Sequence, residues 1–343
     1  MRTILISLFC LLAWGTSLAQ DQKAERIKLI RSEYAKAKAK IEQNGKNGRS
    51  PKDLCVVVND VTDEEAEVYD WTERTYYFEE KNVGNYLAVK QPYFIIEKWE
   101  SHGHTLYHEM LINPKDSTLM FSYRKGETDG GFVVESRYYY DEKGKLIEEK
   151  QSTHNNWSSG DSEMEEAKYF IELFRMITTR DYLTPMEGQN QSSPIKAQPN
   201  RIKDIRNAYG QAKDQIVKDD KSDAKRSIHI TMHDAGEEWP PQTTNTHIYF
   251  DTVGCYFISK HISSMAFDTY NEYLIEPKTS HLLFSYTRSR EEGEQREWRY
   301  YFDERERCVE IKSDAEEIDY GYSDKQAARD LQLIFKKLTN PED

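Results

Sequence analysis

Apolar positions recur at helical spacing in two distant segments. In Arg26 to Ile41 they are Ile27, Ile30, Tyr34, Ala37 and Ile41; in Arg201 to Ile216 they are Ile202, Ile205, Tyr209, Ala212 and Ile216. Aligned without a gap, nine of the 16 positions are identical. Each spacing predicts an amphipathic helix with one face to bury. The Lys-rich back of the first reads as a solvated face.

Downstream of each helix the pattern changes to short runs rich in Val, Ile, Tyr and Phe, which predicts strands. Leu54 to Asn59 answers Ser227 to Met232, and Arg74 to Phe78 answers Thr246 to Phe250. From Tyr93 to Tyr123 the two copies keep a constant offset of 163, so that Tyr93 meets Tyr256. Within this stretch YHEMLINPKDSTLMFSY (Tyr107 to Tyr123) and YNEYLIEPKTSHLLFSY (Tyr270 to Tyr286) share 11 of 17 positions. Each reads as strand, proline turn, strand, with Pro114 and Pro277 where a type I turn wants φ near about −65°.

A second hairpin follows. Tyr138-Tyr139-Tyr140-Asp141-Glu142-Lys143-Gly144 turns into Leu146-Ile147, and Tyr300-Tyr301-Phe302-Asp303 turns into Cys308-Val309. Over this hairpin alone the chain resembles the tyrosine–aspartate repeats of large bacterial surface shells; no activity is implied by it. Each copy closes with a helix. Ser162 with Glu165, and Ser323 with Gln326, have capping-box spacing. Ala167, Phe170, Phe174 and Ile177 form one stripe; Ala328, Leu331, Phe335 and Leu338 form the other.

The expected fold class is α+β: two tandem homologous modules, each an N-terminal helix, a 6-7-stranded antiparallel meander sheet and a C-terminal helix packed on the sheet. The modules are placed at 20-180 and 201-343, with 181-200, rich in Pro, Gln, Asn and Ser, as linker. A curved sheet cradling both helices on one face is the simplest arrangement.

Composition adds the compartment. Arg2 followed by the apolar run Ile4 to Leu12, with Ser17 and Ala19 at the peptidase positions, reads as a signal peptide over 1-19. Cys10 lies inside that run, which argues against a lipid anchor. The remaining 343 − 19 = 324 residues contain no apolar run near the roughly 18 residues of a membrane span. The formal net charge of −13 disfavours nucleic acid and anionic membrane as partners. Cys55, Cys255 and Cys308 then remain; they read as strand-core residues, although export would permit a Cys255–Cys308 bridge.

Candidate chemistry is sparse. His102, His104 and His108 alternate along one strand and so share a face, which suits a zinc or copper ion. The second copy has Met265, Phe267 and Asn271 there. Glu109 with Arg137, and Glu272 with Arg299, are charged residues in otherwise aromatic strands; with Ser122 and Ser285 between them they suggest a polar row. A one-residue slip in the turn would turn Ser122 to the other face. Tyr138 and Tyr139, like Tyr300 and Tyr301, point to opposite faces; one face meets the helices, and the other either packs on the second module or stays half-exposed, or serves as a platform for a glycan or peptide. Phosphate-loop, dinucleotide, nucleophile-elbow, zincin and EF-hand motifs are missing from the sequence.

These features point to a secreted or periplasmic binding or scaffold protein without catalytic activity or cofactor. Its partner would be a protein, a glycan or a small apolar ligand. The alternatives are a carrier holding an apolar ligand between curved sheet and helices, and a hydrolase of extracellular polymer.

Overall fold

The computed structural model describes residues 2–46, 52–63, 68–82, 88–101, 104–127, 131, 133–152, 158–179, 199–221, 226–234, 241–291, 293–314 and 321–340. His102 and nearly all of the expected linker fall outside them.

The described residues form an α+β chain, mostly sheet, of four helices and fourteen strands. The first half runs α1 (Arg2–Lys46), β1 (Asp53–Asp63), β2 (Val68–Asn82), β3 (Ala88–Ser101), β4 (His104–Ile112), β5 (Leu119–Glu127), β6 (Val133–Tyr140), β7 (Leu146–Gln151) and α2 (Gly160–Thr179). The second runs α3 (Pro199–Asp219), β8 (Ser227–Asp234), β9 (Gln242–Phe250), β10 (Cys255–Ser263), β11 (Phe267–Glu276), β12 (His281–Glu291), β13 (Glu294–Phe302), β14 (Cys308–Ser313) and α4 (Tyr322–Thr339). No described helix is long and apolar enough to cross a membrane.

All fourteen strands belong to one antiparallel sheet, ordered β14 to β8 and then β1 to β7. The expectation of a separate sheet for each half is thereby corrected. β1 and β8 pair at the centre, with Leu54 opposite Met232, Val56 opposite Ile230 and Val58 opposite Ile228. Both strands would otherwise be unpaired edges, and joining them satisfies two rows of backbone donors and acceptors at once.

The helices do not share one face, as expected, but take opposite faces of the sheet. The cause is the run of apolar residues at the end of each long hairpin. Met110, Leu111 and Ile112 are all buried, so both faces need a cover. α2 and α4 lie on one face over a single core that crosses the β1–β8 seam and includes Tyr76, Phe78, Ile95, Phe170, Phe174, Ile248, Phe250 and Phe302. The Tyr169 hydroxyl donates to the Lys337 carbonyl, 2.7 Å, joining α2 to α4. On the other face α1 sets Ile27, Ile30 and Ala37 on Phe94, Leu111, Phe121 and Tyr139. α3 sets Ile202, Ile205, Ala212 and Ile216 on Phe257, Leu274, Phe284 and Tyr301.

The helix caps differ from the expected ones. α2 starts at Gly160, and Ser159 and Ser162 cap reciprocally, each backbone N–H donating to the other's Oγ at 2.8 and 3.2 Å. Ser162 is thus the inner partner of the box. α4 follows Gly321, whose φ of 70° only glycine adopts at ease, without a side-chain cap. Cys55, Cys255 and Cys308 are free thiols. Cys308 lies in the α2/α4-side core, in the place that Leu146 takes in the first half.

Candidate functional site

Strand register sorts the candidate residues by face. Glu109 lies opposite Tyr123, and Tyr123 opposite Arg137. Glu272, Tyr286 and Arg299 form the same row in the second half. Tyr123 and Tyr286 therefore occupy the middle position expected of serine. Ser122 and Ser285 point to the α2/α4 side, because each turn is one residue out of the register that would have aligned them.

On the α1 side Glu109 is buried and accepts hydrogen bonds from Lys38 Nζ at 2.5 Å and from the Tyr34 and Tyr107 hydroxyls. Glu272 accepts from Lys213 and Tyr270, both at 2.7 Å, and from Tyr209. Burial alone would raise the Glu272 carboxyl. The donors from Lys213, Tyr209 and Tyr270 outweigh it and hold the group below its usual range. Burial and the facing carboxylate push the Tyr34 and Tyr209 phenols up, so both stay protonated donors. Each network ties its helix to the sheet.

Beside each network lies a pocket. In the first half, about 280 Å³ is enclosed by Ile30, Arg31 and Tyr34 of α1 with Phe121, Tyr123, Arg137 and Tyr139 of the sheet. In the second, about 290 Å³ is enclosed by Ile205, Arg206 and Tyr209 of α3 with Phe284, Tyr286, Arg299 and Tyr301. The seven lining positions correspond one to one, and all seven carry the same residue. The internal geometry repeats as well. Tyr34 meets Phe121 edge-on at 5.1 Å, and Tyr209 meets Phe284 edge-on at 5.1 Å. Phe121 and Tyr139 lie 4.9 Å apart; Phe284 and Tyr301 lie 5.0 Å apart.

The expected aromatic platform is not an open face. Tyr138 and Tyr300 sit beneath α2 and α4 in the core, while Tyr139 and Tyr301 lie under α1 and α3; all four are buried. Accessible aromatic surface in the first half also lines a larger hollow of about 570 Å³, with Trp71, Tyr107 and Tyr123 in its wall; on the α1/α3 side both halves share the mouths of the two pockets. Arg137 and Arg299 stand at those mouths, 5.2 and 5.1 Å over the rings of Tyr123 and Tyr286.

The α2 side of the first half holds a different site. Arg74, Glu97, His108, Arg124 and Ser136 are register neighbours and form one row across β2 to β6. α2 lowers Glu163 and Glu166, one helical turn apart, onto this row. Arg74 Nε is 3.1 Å from Glu97, and Arg74 lies 3.7 Å over the Phe170 ring. His108 Nε2 is 2.8 Å from Glu163 and 2.9 Å from Ser122 Oγ. Arg124 Nε is 3.0 Å from the second Glu163 oxygen, and its NH2 pairs with Glu166.

Burial disfavours every charge in this group, and the partners decide the outcome. Glu97, otherwise pushed up by burial, is drawn down to about 2 by Arg74 and His108. Glu163 is likewise drawn down to about 2 by His108, Arg124 and Ser122. His108 is raised, because the hydrogen bonds to Glu163 and Glu97 outweigh burial and the opposing Arg124. Glu166 is raised by burial despite Arg124. Three carboxylates thus face two guanidiniums and one imidazole.

His104, Leu106 and His108 share a face of β4. Of the histidines proposed as metal ligands, only His108 joins a group of potential ligands among the described residues, with Glu97 and Glu166 and with donor atoms within 4.8 Å of one another. Arg74 and Arg124 already occupy both carboxylates, so a metal ion would have to displace one buried and one half-buried cation. In the second half the same row reads Thr246, Lys260, Asn271 and Thr287, with Asp324 and Ala327 above it. There Asn271 donates to Thr287 at 2.8 Å and Thr287 to Asp324 at 3.1 Å.

Sequence reasoning missed Tyr34, Lys38 and Tyr123 around the pocket, and Arg74, Glu97, Arg124, Glu163 and Glu166 in the buried row. A signal existed for the first group, since Tyr209, Lys213 and Tyr286 repeat them. None existed for the second, which the other copy lacks. No protein-family model, curated protein or solved structure matches this chain.

Proposed function

We propose that the chain is an exported, non-enzymatic binding protein made by duplication of one helix–meander–helix module, and that each module presents the same small pocket between its N-terminal helix and the sheet. The observation that carries this reading is the identity of all seven lining residues in both pockets. Around them the two helices and hairpins have diverged at many positions. Two equal sites on one rigid sheet raise the avidity of a partner that reaches both.

Export rests on the charged start, the apolar run and the small residues before Ala19. Removal of 1–19 leaves Arg26 to Ile41, the part of α1 that docks on the sheet. The alternative, a carrier holding an apolar ligand between curved sheet and helices, finds less room on the α2/α4 side than in the pockets under α1 and α3. The described cavity on the α2/α4 side, against Met232, Lys260 and Leu331, measures only about 70 Å³, close to the space of a few water molecules.

Two measurements test the proposal. N-terminal sequencing of the protein recovered from the periplasm or medium should begin at Gln20. A thermal-shift screen of small aromatic and aliphatic compounds should yield ligands whose titration saturates at two equivalents per chain. Ligands that saturate at one equivalent, and keep their affinity when Arg137 and Arg299 are both changed to Gln, would contradict it.

A further inference from the structure

We propose that each pocket takes a carboxylate carried on a small apolar or aromatic body, gripped by Arg31 and Arg137 in the first half and by Arg206 and Arg299 in the second. This rests on the binding reading above and names its ligand class.

Three observations converge on an anion with an apolar body. The first is the layering of the pocket. Its floor is apolar, from Ile30 and the rings of Phe121 and Tyr139, whereas both cationic groups stand at the mouth. Each guanidinium lies over a tyrosine ring, Arg31 at 5.6 Å over Tyr139 and Arg206 at 5.4 Å over Tyr301. A guanidinium held by its face keeps its N–H edge for a planar acceptor, and a carboxylate matches that fork; Arg206 also donates its Nε–H to the Tyr301 hydroxyl at 3.4 Å, which leaves its terminal N–H groups for the acceptor.

The second is local charge. The chain carries a formal net charge of −13, yet two arginines mark each mouth. Arg31 has no carboxylate partner among the described residues. Arg137 has one, Glu135 at 3.0 Å, and Arg299 has Glu297 at 2.7 Å; Arg137 is exposed and Arg299 half-buried. Arg206 reaches Glu310 at 3.3 Å and is also exposed. Exposed pairs of this kind are weak enough for an incoming anion to compete.

The third is selective retention. Apart from Lys28, kept as Lys203, outward positions beside Arg31 have changed between the helices: Leu29 against Asp204, Ser32 against Asn207, Lys36 against Gln211. Arg31 and Arg206 have not, although both are exposed. Packing of the helix does not require an exposed arginine.

The volume limits the ligand. Roughly 300 Å³ is the low end for small-molecule sites, so each pocket fits one ring or one short aliphatic chain. The same chemistry is offered by a free organic acid and by the C-terminal residue of a peptide.

The test uses the mature full chain and four probes in isothermal titration: 3-phenylpropionate, its amide, and an acetylated tripeptide ending in phenylalanine with a free or an amidated C-terminus. At least one of the two acids should bind with two equivalents, and its amide should bind roughly tenfold more weakly or worse, as loss of a charge-assisted pair requires. The Arg31→Gln/Arg206→Gln double variant should lose a similar factor at an unchanged unfolding midpoint. Arg296→Gln, outside the pockets, should lose nothing. If the double variant does not fold, Arg137→Gln/Arg299→Gln replaces it with the same expectation. Amides that bind as tightly as their acids would overturn the ligand class while leaving the binding reading in place. Failure of all four probes would overturn both. Which acid binds identifies the source: only the small acid means a free metabolite-like anion, and the peptide as well means a chain terminus.

Discussion

Glu163 is the most informative residue to neutralise. It is fully buried, reaches His108 at 2.8 Å and Arg124 at 3.0 Å, and accepts from Ser122. Its carboxyl is held at about 2 against an ordinary 4.5, which at about 1.4 kcal/mol per tenfold makes its ionised form worth about 3 kcal/mol to the fold at neutral pH. Glu163→Gln keeps the shape and removes the charge, leaving Arg124 with Glu166 alone and His108 without its strongest reason to hold a proton. The expected loss is about 3 kcal/mol, in line with breaking one partner of a buried charged group.

Asp324→Asn, at the corresponding place in α4, touches a row with Lys260 but no arginine and should cost less than Glu163→Gln. Urea unfolding across pH reads both. In the wild type the Glu97 and Glu163 contributions are complete above about 4.5 and are lost as pH falls toward about 2. The raised His108 contributes fully below its ordinary 6.5 and less as pH rises through its folded value. Stability should therefore decline on both sides of a mildly acidic maximum, and Glu163→Gln should flatten the alkaline side. Equal costs for Glu163→Gln and Asp324→Asn, or an unchanged alkaline limb, would refute the charged-row reasoning.

Three further outcomes follow from the same geometry. Ser122→Ala should cost about 1–2 kcal/mol in chemical denaturation, since it strips a donor from Glu163, whereas Ser285→Ala should be neutral or slightly stabilising, because the buried Ser285 hydroxyl has no hydrogen-bond partner among the described residues. Tyr34→Phe and Tyr209→Phe should each cost about 1–2 kcal/mol by losing a bond to a buried carboxylate, and the double variant should equal their sum, since they sit in separate networks. Cys255 should resist a thiol reagent until the protein unfolds, because burial covers it and pushes its thiol up; labelling on mixing would contradict its place in the core.

Much of the local structure was legible because it is periodic. The stripes of Ile27 to Ile41 and Ile202 to Ile216, the proline hairpins and the closing helices all stand where spacing places them. Non-local choices were not. Pairing of β1 with β8 joins residues far apart in the chain, and no local pattern records it. Consecutive apolar residues such as Met110, Leu111 and Ile112 held the clue that two helices must cover two faces, but strand content alone does not say which helix takes which. Ser122 was placed on the wrong face by one residue of turn register. The buried row was hidden because Arg74, Glu97 and Glu163 read as ordinary surface charges until the fold brings their partners to them. The pocket residues lay in plain view as repeated tyrosines and arginines; only the crossing of α1 over β5 and β6 shows that they converge.

The central claim, that one pocket is present twice and binds twice, is met most directly by native mass spectrometry of the full mature chain and the single variants Arg31→Gln and Arg206→Gln, each titrated with ligand to saturation. The account predicts two bound equivalents in the wild type, filled with one affinity, and in each variant one site of unchanged affinity and one weakened roughly tenfold. A single equivalent in the wild type, or two sites of unchanged affinity in both variants, would contradict it.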